Sequence, residues 1–100
     1  MTPLSLFLIL HLQYYLPIQD AAKLVCIAEK ESLLNPKAIN HTHNTNGTKD
    51  FGLFQINSLW KKELGLTKEQ LLDVNINIST AVYVYNKQGI KAWSTHKRCL

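Results

Sequence analysis

Two stretches decide how this chain reads: Cys26-Ile-Ala-Glu-Lys-Glu-Ser32, and Asn44-Thr-Asn-Gly-Thr-Lys-Asp-Phe-Gly-Leu-Phe-Gln-Ile-Asn-Ser-Leu-Trp60. The first lies in a segment, Asp20 to Leu34, whose pattern predicts a helix. Asp20 is placed to cap its start, and Asn35-Pro36 ends it because the residue before a proline is pushed out of the α region. At about 100° per residue, Leu24, Ala28 and Glu31 share one stripe, so the Glu31 carboxyl lies on the packing face. Taking a carboxylate out of water disfavours its charged form, which suits a general acid near neutral pH. The bland alternative is a glutamate at the rim of the core with a basic partner.

The second stretch holds Asn46-Gly47, a strong two-residue turn signal because both residues tolerate positive φ. Short strands are expected on either side, over 38–43 and 48–52. Asp50 then stands on a strand rich in Thr, Asn and Lys, where it stays ionised. A solvated hairpin aspartate is the bland reading here. Two carboxyls in unlike surroundings nevertheless form the pattern from which acid and base roles are assigned.

The spacing Cys26-x4-Glu31-Ser32, then Asn35, Ala38 and Asn40, then the run Gly47-Thr-Lys-Asp50-Phe-Gly-Leu-Phe-Gln55-Ile-Asn57-Ser58, resembles the c-type lysozymes and their relative α-lactalbumin. Gly89-Ile-Lys-Ala92-Trp93, followed by Lys97-Arg98-Cys99, is similar to a late segment of the same family. The likeness covers roughly residues 20 to 99.

That resemblance implies an α+β, lysozyme-like fold: mainly helical, with a small antiparallel β-hairpin subdomain flanking a cleft, all in one domain over residues 1–100. It implies Glu31 as general acid and Asp50 as nucleophile or stabiliser of a glycosyl intermediate. Asn44, Gln55, Asn57, Trp60 and Ala92 fall at positions that hold sugar rings, and Trp93 at the tryptophan sheltering the acid. α-Lactalbumin lacks the two carboxylates together, so their joint presence points to an enzyme. The implied reaction is retaining hydrolysis of a β-1,4 bond in peptidoglycan or a chitin-like polymer. A lytic transglycosylase using Glu31 alone and a non-catalytic lysozyme-like binding protein are the alternatives.

The chain departs from the family pattern in several places. About two extra residues fall around His41-Thr42-His43, Lys61 stands where many relatives carry an aromatic, and a family C-terminal segment is missing after Leu100, which suggests a fragment or a minimal version. Of the family's cysteines only Cys26 and Cys99 remain, with Lys62 and Thr80 at two of the vacant places. The resemblance pairs Cys26 with Cys99 and implies a secreted or otherwise extracytoplasmic setting. Two unpaired thiols in a reducing compartment is the other reading.

One hundred residues with 46% hydrophobic content make one small globular domain, marginal in stability without help. The net charge of +4, from 11 basic and 7 acidic residues, suits an anionic polymer. No basic stripe interleaved with aromatics appears, so nucleic acid is not an expected partner. Residues 1–16, MTPLSLFLILHLQYYL, fit either a signal-like segment or a buried first helix. They lack a basic start and a small-residue cleavage site, and are too short to span a bilayer, so no stable membrane insertion is expected. A monomer is expected.

Elsewhere the pattern predicts a loop after Lys62, a capped helix over 68–72, a longer helix over 74–87 stopped by Gly89, and a last short helix carrying Trp93 toward Cys99. Trp60 reads either as core or as a sugar-stacking platform. His41 and His43 lack the further ligands a metal site needs, so neither metal nor cofactor is expected. Asn40-His-Thr, Asn46-Gly-Thr and Asn77-Ile-Ser are glycosylation sequons.

Overall fold

The computed structural model describes residues 2–40 and 46–100. His41, His43 and Asn44 lie outside them.

Helix α1 runs Pro3–Gln13, with the Thr2 hydroxyl accepting the Ser5 N–H and proline in the first turn, where a missing N–H costs nothing. Leu8 and Leu12, one turn apart, are completely buried, while Leu6, Phe7, Leu10 and Tyr14 line its exposed side. It packs on α2, Ile18–Ser32. The helix therefore starts and stops two residues earlier than expected over 20–34. Pro17 holds the N-cap position without a side-chain bond, and Asp20 sits inside the first turn. There its carboxylate accepts a bond from the Tyr85 hydroxyl, which pushes the Tyr85 phenol up to about 12. Leu24, Ile27 and Ala28 fill the core side of α2, and Leu33 stops it in the left-handed region with φ 55°.

Among the described residues, three two-residue strands form an antiparallel sheet in the order β1 (Ile39–Asn40), β2 (Asp50–Phe51), β3 (Ile56–Asn57). The described parts of the two expected hairpin strands are shorter than predicted, and β3 was not foreseen. The turn from β2 to β3 is tight: Gly52 has φ 77° and Gln55 φ 49°. Asn77, 1% exposed, ties it from behind, donating to the Phe51 and Leu71 carbonyls at 2.9 and 2.7 Å and accepting the Phe54 N–H at 2.9 Å. A buried carboxamide with its bonds made is a rigid strut. The acceptor asparagine of its sequon is consequently sealed inside the fold, unlike exposed Asn46.

The loop expected after Lys62 begins only at Gly65, because Ser58–Leu64 forms helix α3. Asn57 caps its start by accepting the Leu59 N–H at 3.0 Å, and Gly65 closes it at φ 66°. The Leu-Trp-Lys-Lys-Glu-Leu run has good helix propensity, which the reading of the lysine pair as a loop entry overlooked. Helix α4, Lys68–Leu71, carries the expected reciprocal Thr67–Gln70 capping box, and α5 runs Val74–Gln88 with Ile78, Ala81 and Val82 buried. The chain then makes two 3-10 turns, Ile90–Ala92 and His96–Cys99, with Trp93 extended between them rather than in one last helix. Cys26 and Cys99 form a disulfide with Cα atoms 5.7 Å apart, fastening the second turn to α2. Among the described residues no helix is long and apolar enough to cross a membrane.

Candidate active site

Glu31 occupies the last turn of α2, partly buried, and the next residue locks that turn in place. The Ser32 hydroxyl reaches the Ala28 and Leu53 carbonyls at 3.1 and 2.8 Å, joining the helix end to the Gly-Leu-Phe segment behind the sheet. Burial pushes the Glu31 carboxyl above its ordinary value of 4.5. A bond from the Thr95 hydroxyl at 2.8 Å opposes that shift, the negative charge of Asp50 adds to it, and the Arg98 guanidinium works against it. The net direction is upward, as a proton donor requires.

Asp50 stands on the central strand, opposite Asn57 in register. Asn57 Nδ2 donates to Asp50 Oδ1 at 3.0 Å and to Thr48 Oγ1 at 2.9 Å, while its own Oδ1 caps α3. One side chain thus fixes both the carboxylate and the start of the helix that carries Trp60.

A groove of about 200 Å³ is lined by Glu31, Asp50, Gln55, Ile56, Asn57, Trp60, Val84, Ala92, Trp93 and Ser94. It adjoins a second hollow of about 600 Å³ that shares Glu31, Asp50, Gln55 and Ser94, and reaches Lys30, Asn40, Thr95 and Arg98. Every catalytic and sugar-contact candidate within the described residues lies on the first groove; Asn44 falls outside them. Their situations differ. Trp60 is half-buried, its ring edge-on to Tyr83 at 6.0 Å, so one side is braced and the rest lines the groove. Trp93 is 5% exposed and donates its indole N–H to the Phe54 carbonyl at 2.7 Å, which makes it wall rather than platform. Gln55 is buried too, its amide nitrogen held by the Ala38 and Gly52 carbonyls.

Two residues that touch the acid electrostatically were not picked out from sequence. Thr95 and Arg98 sit 64 and 67 positions from Glu31, in a basic tail whose pattern gave no sign that it folds back. The Cys26–Cys99 pairing and the place of Trp93 beside the acid pointed there, without singling out either residue. Among the described residues no cluster of His, Cys, Asp or Glu could hold a metal ion.

A family model described as "Lysozyme like domain" matches residues 16–95. Lysozyme P of Drosophila melanogaster is 36% identical over 83% of this chain and 67% of its own length. Lysozyme C of Takifugu rubripes is 37% identical over 74% of this chain and 59% of its own. The chain thus spans about two thirds or less of these relatives. Among solved structures, a lysozyme from Litopenaeus vannamei superposes with a TM-score of 0.74 at 27% identity, over 97% of this chain and 85% of that one. Lysozyme from Equus asinus gives 0.69 at 34% identity, over 78% and 69%. On the family-model match and these relatives, the chain belongs to the c-type lysozyme family.

Proposed function

We propose that this chain is a lysozyme-type glycosidase, cleaving β-1,4 bonds of peptidoglycan or a chitin-like polysaccharide with retention of configuration. Glu31 gives its proton to the glycosidic oxygen as the bond to the anomeric carbon breaks. Asp50 bonds to that carbon, or holds the cationic sugar, from the opposite face. Glu31, now ionised, takes a proton from water; the water oxygen attacks the same carbon and displaces Asp50, restoring both groups. Trp60, Gln55, Asn57 and the Ala92 backbone hold the sugar chain, Asn44 joins them, and Trp93 keeps bulk water from the acid.

The observation carrying this reading is that Glu31 and Asp50 line one groove while burial keeps the first carboxyl protonated to higher pH than usual. The polymer substrate is met outside the cytoplasm by a single-domain monomer over residues 1–100, whose +4 charge draws it to anionic wall. The Cys26–Cys99 bond supports that setting.

The test is to incubate purified wall fragments with the protein and examine the new ends. Reducing N-acetylmuramic ends, β at the moment of release, are expected; a 1,6-anhydro end would assign the chain to transglycosylases. No cleavage by protein that still binds wall would leave a sugar-binding lysozyme-like protein.

A further inference from the structure

The Glu31 carboxyl is held by a residue that no sequence signal marked. Thr95 Oγ1 lies 2.8 Å from Glu31 Oε2, across 64 positions of chain. The contact is built into the fold. The Trp93 indole is anchored on the Phe54 carbonyl at 2.7 Å. The Trp93 carbonyl in turn receives the His96 N–H at 3.1 Å and lies 2.8 Å from His96 Nδ1. The Arg98 N–H closes on the Thr95 carbonyl at 3.0 Å, and Cys99 is bonded to Cys26 in the acid's own helix. Thr95 is thus gripped on both sides, and its hydroxyl is presented to one carboxyl oxygen.

We propose that Thr95 is a positioning residue for Glu31, occupying Oε2 so that the acidic proton is carried on the other oxygen, toward the groove, and donating to the carboxylate once that proton has left. This rests on Glu31 being the acid of the reaction proposed above. A hydroxyl suits the task because Oε2 can accept from it in either state, as the carbonyl oxygen of the neutral acid and as a carboxylate oxygen, so the pairing survives each protonation state of the carboxyl. Bonds to the charged form are the stronger ones, and the contact accordingly favours ionised Glu31 and opposes the effect of burial. The other charged groups lining the same hollow as the carboxyl are Asp50 from β2, Arg98 from the second 3-10 turn and Lys30 on α2 itself. Of these, Asp50 and Arg98 act on the carboxyl with opposite sign.

The experiment compares parent, T95S and T95V by carbon NMR titration of the Glu31 carboxyl and by the pH profile of wall cleavage. In T95V the carboxyl titrates at higher pH, the alkaline limb of the profile moves the same way, and kcat at the optimum falls several-fold with KM nearly unchanged. T95S stays close to the parent on all three counts. T95A stands in where valine does not fold. Titration and alkaline limb in T95V indistinguishable from those of an active parent overturn the Thr95 role alone. A parent that fails to cleave wall material overturns the hydrolase reading, and the Thr95 role with it.

Discussion

Asn57 and Asp50 face each other across the β2–β3 rung, and the asparagine carboxamide donates to the carboxylate at 3.0 Å. The same side chain caps α3 through its oxygen. The two duties can be separated. N57S keeps a good capping residue and loses the reach to Asp50, so it should lose activity about tenfold while stability changes little. N57A removes both and should cost a further 1 kcal/mol or so of stability. Urea denaturation beside wall-clearing rates decides this: equal activity in N57S and parent would mean Asp50 needs no such support.

Removing the Glu31 charge should trade activity for stability. The carboxyl is raised from 4.5, chiefly by burial. A carboxyl whose folded value exceeds its unfolded one leaves the protein most stable below the unfolded value, and that increment is lost as pH rises through the folded value. E31Q, which cannot ionise, should therefore melt higher than the parent at pH 7 and at the same temperature near pH 4, while activity drops at least about a hundredfold. Calorimetry at the two pH values checks the sign, and a parent relatively more stable at pH 7 would contradict it.

Asn77 holds three backbone groups of the β2–β3 turn and of α4 from inside the core. N77A removes the side-chain bonds to one buried N–H and two carbonyls and leaves a cavity, and should cost about 3 kcal/mol or more. Since the residue is 1% exposed, its sequon should stay unmodified in protein made in a glycosylating host. Peptide mass spectrometry with Asn46 as the accessible comparison tests this, and a glycan on Asn77 of folded protein would refute it.

Gly52 sits against that same asparagine. A Cβ there would lie 2.3 Å from Asn77 Nδ2 and 2.6 Å from the Leu71 carbonyl oxygen, on a backbone at φ +77°. The second contact is with backbone and cannot swing aside. G52A should be destabilised as severely as N77A, by about 3 kcal/mol, whereas G47A, with nothing within 4 Å of the added carbon, should bear only the cost of its φ of +80°. Thermal melts of the pair give the comparison.

The disulfide closes a loop across 73 positions. In the chain-entropy picture its loss is worth about 4 kcal/mol, large against the 5–15 kcal/mol that holds a typical domain folded. C26S/C99S should show a correspondingly lower urea midpoint, and because the bond fastens the Thr95 turn to α2, Glu31 should also titrate at higher pH in whatever folded protein remains.

What could be read before the fold was known follows from how local each signal is. Glu31 was legible because helix periodicity sets its face within three turns, and Asp50 because Asn46-Gly47 announces a turn beside it. The Thr67–Gln70 box spans four residues and was equally plain. Asn77 was not: on α5 its polar side chain reads as a surface sequon, and only the approach of the β2–β3 turn makes it core. Thr95 depends on a disulfide, an indole bond and a 3-10 turn acting together, none of which leaves a periodic trace. Helix α3 was missed for a smaller reason, since two lysines after a tryptophan look like a chain leaving the core.

Immediately beyond Glu31, Leu33 and Leu34 both hold left-handed backbone, φ 55° and 60°, a conformation that residues with a Cβ adopt at a cost. Were Leu33 to relax into the right-handed region, the coil would wind on and the chain would miss the direction that brings the Ala38 carbonyl to the Gly52 N–H at 2.7 Å. The bend therefore works as a mechanical stop that steers β1: whatever straightens those two leucines draws β1 off β2, while Asn77 still fastens the β2–β3 turn to the helical body.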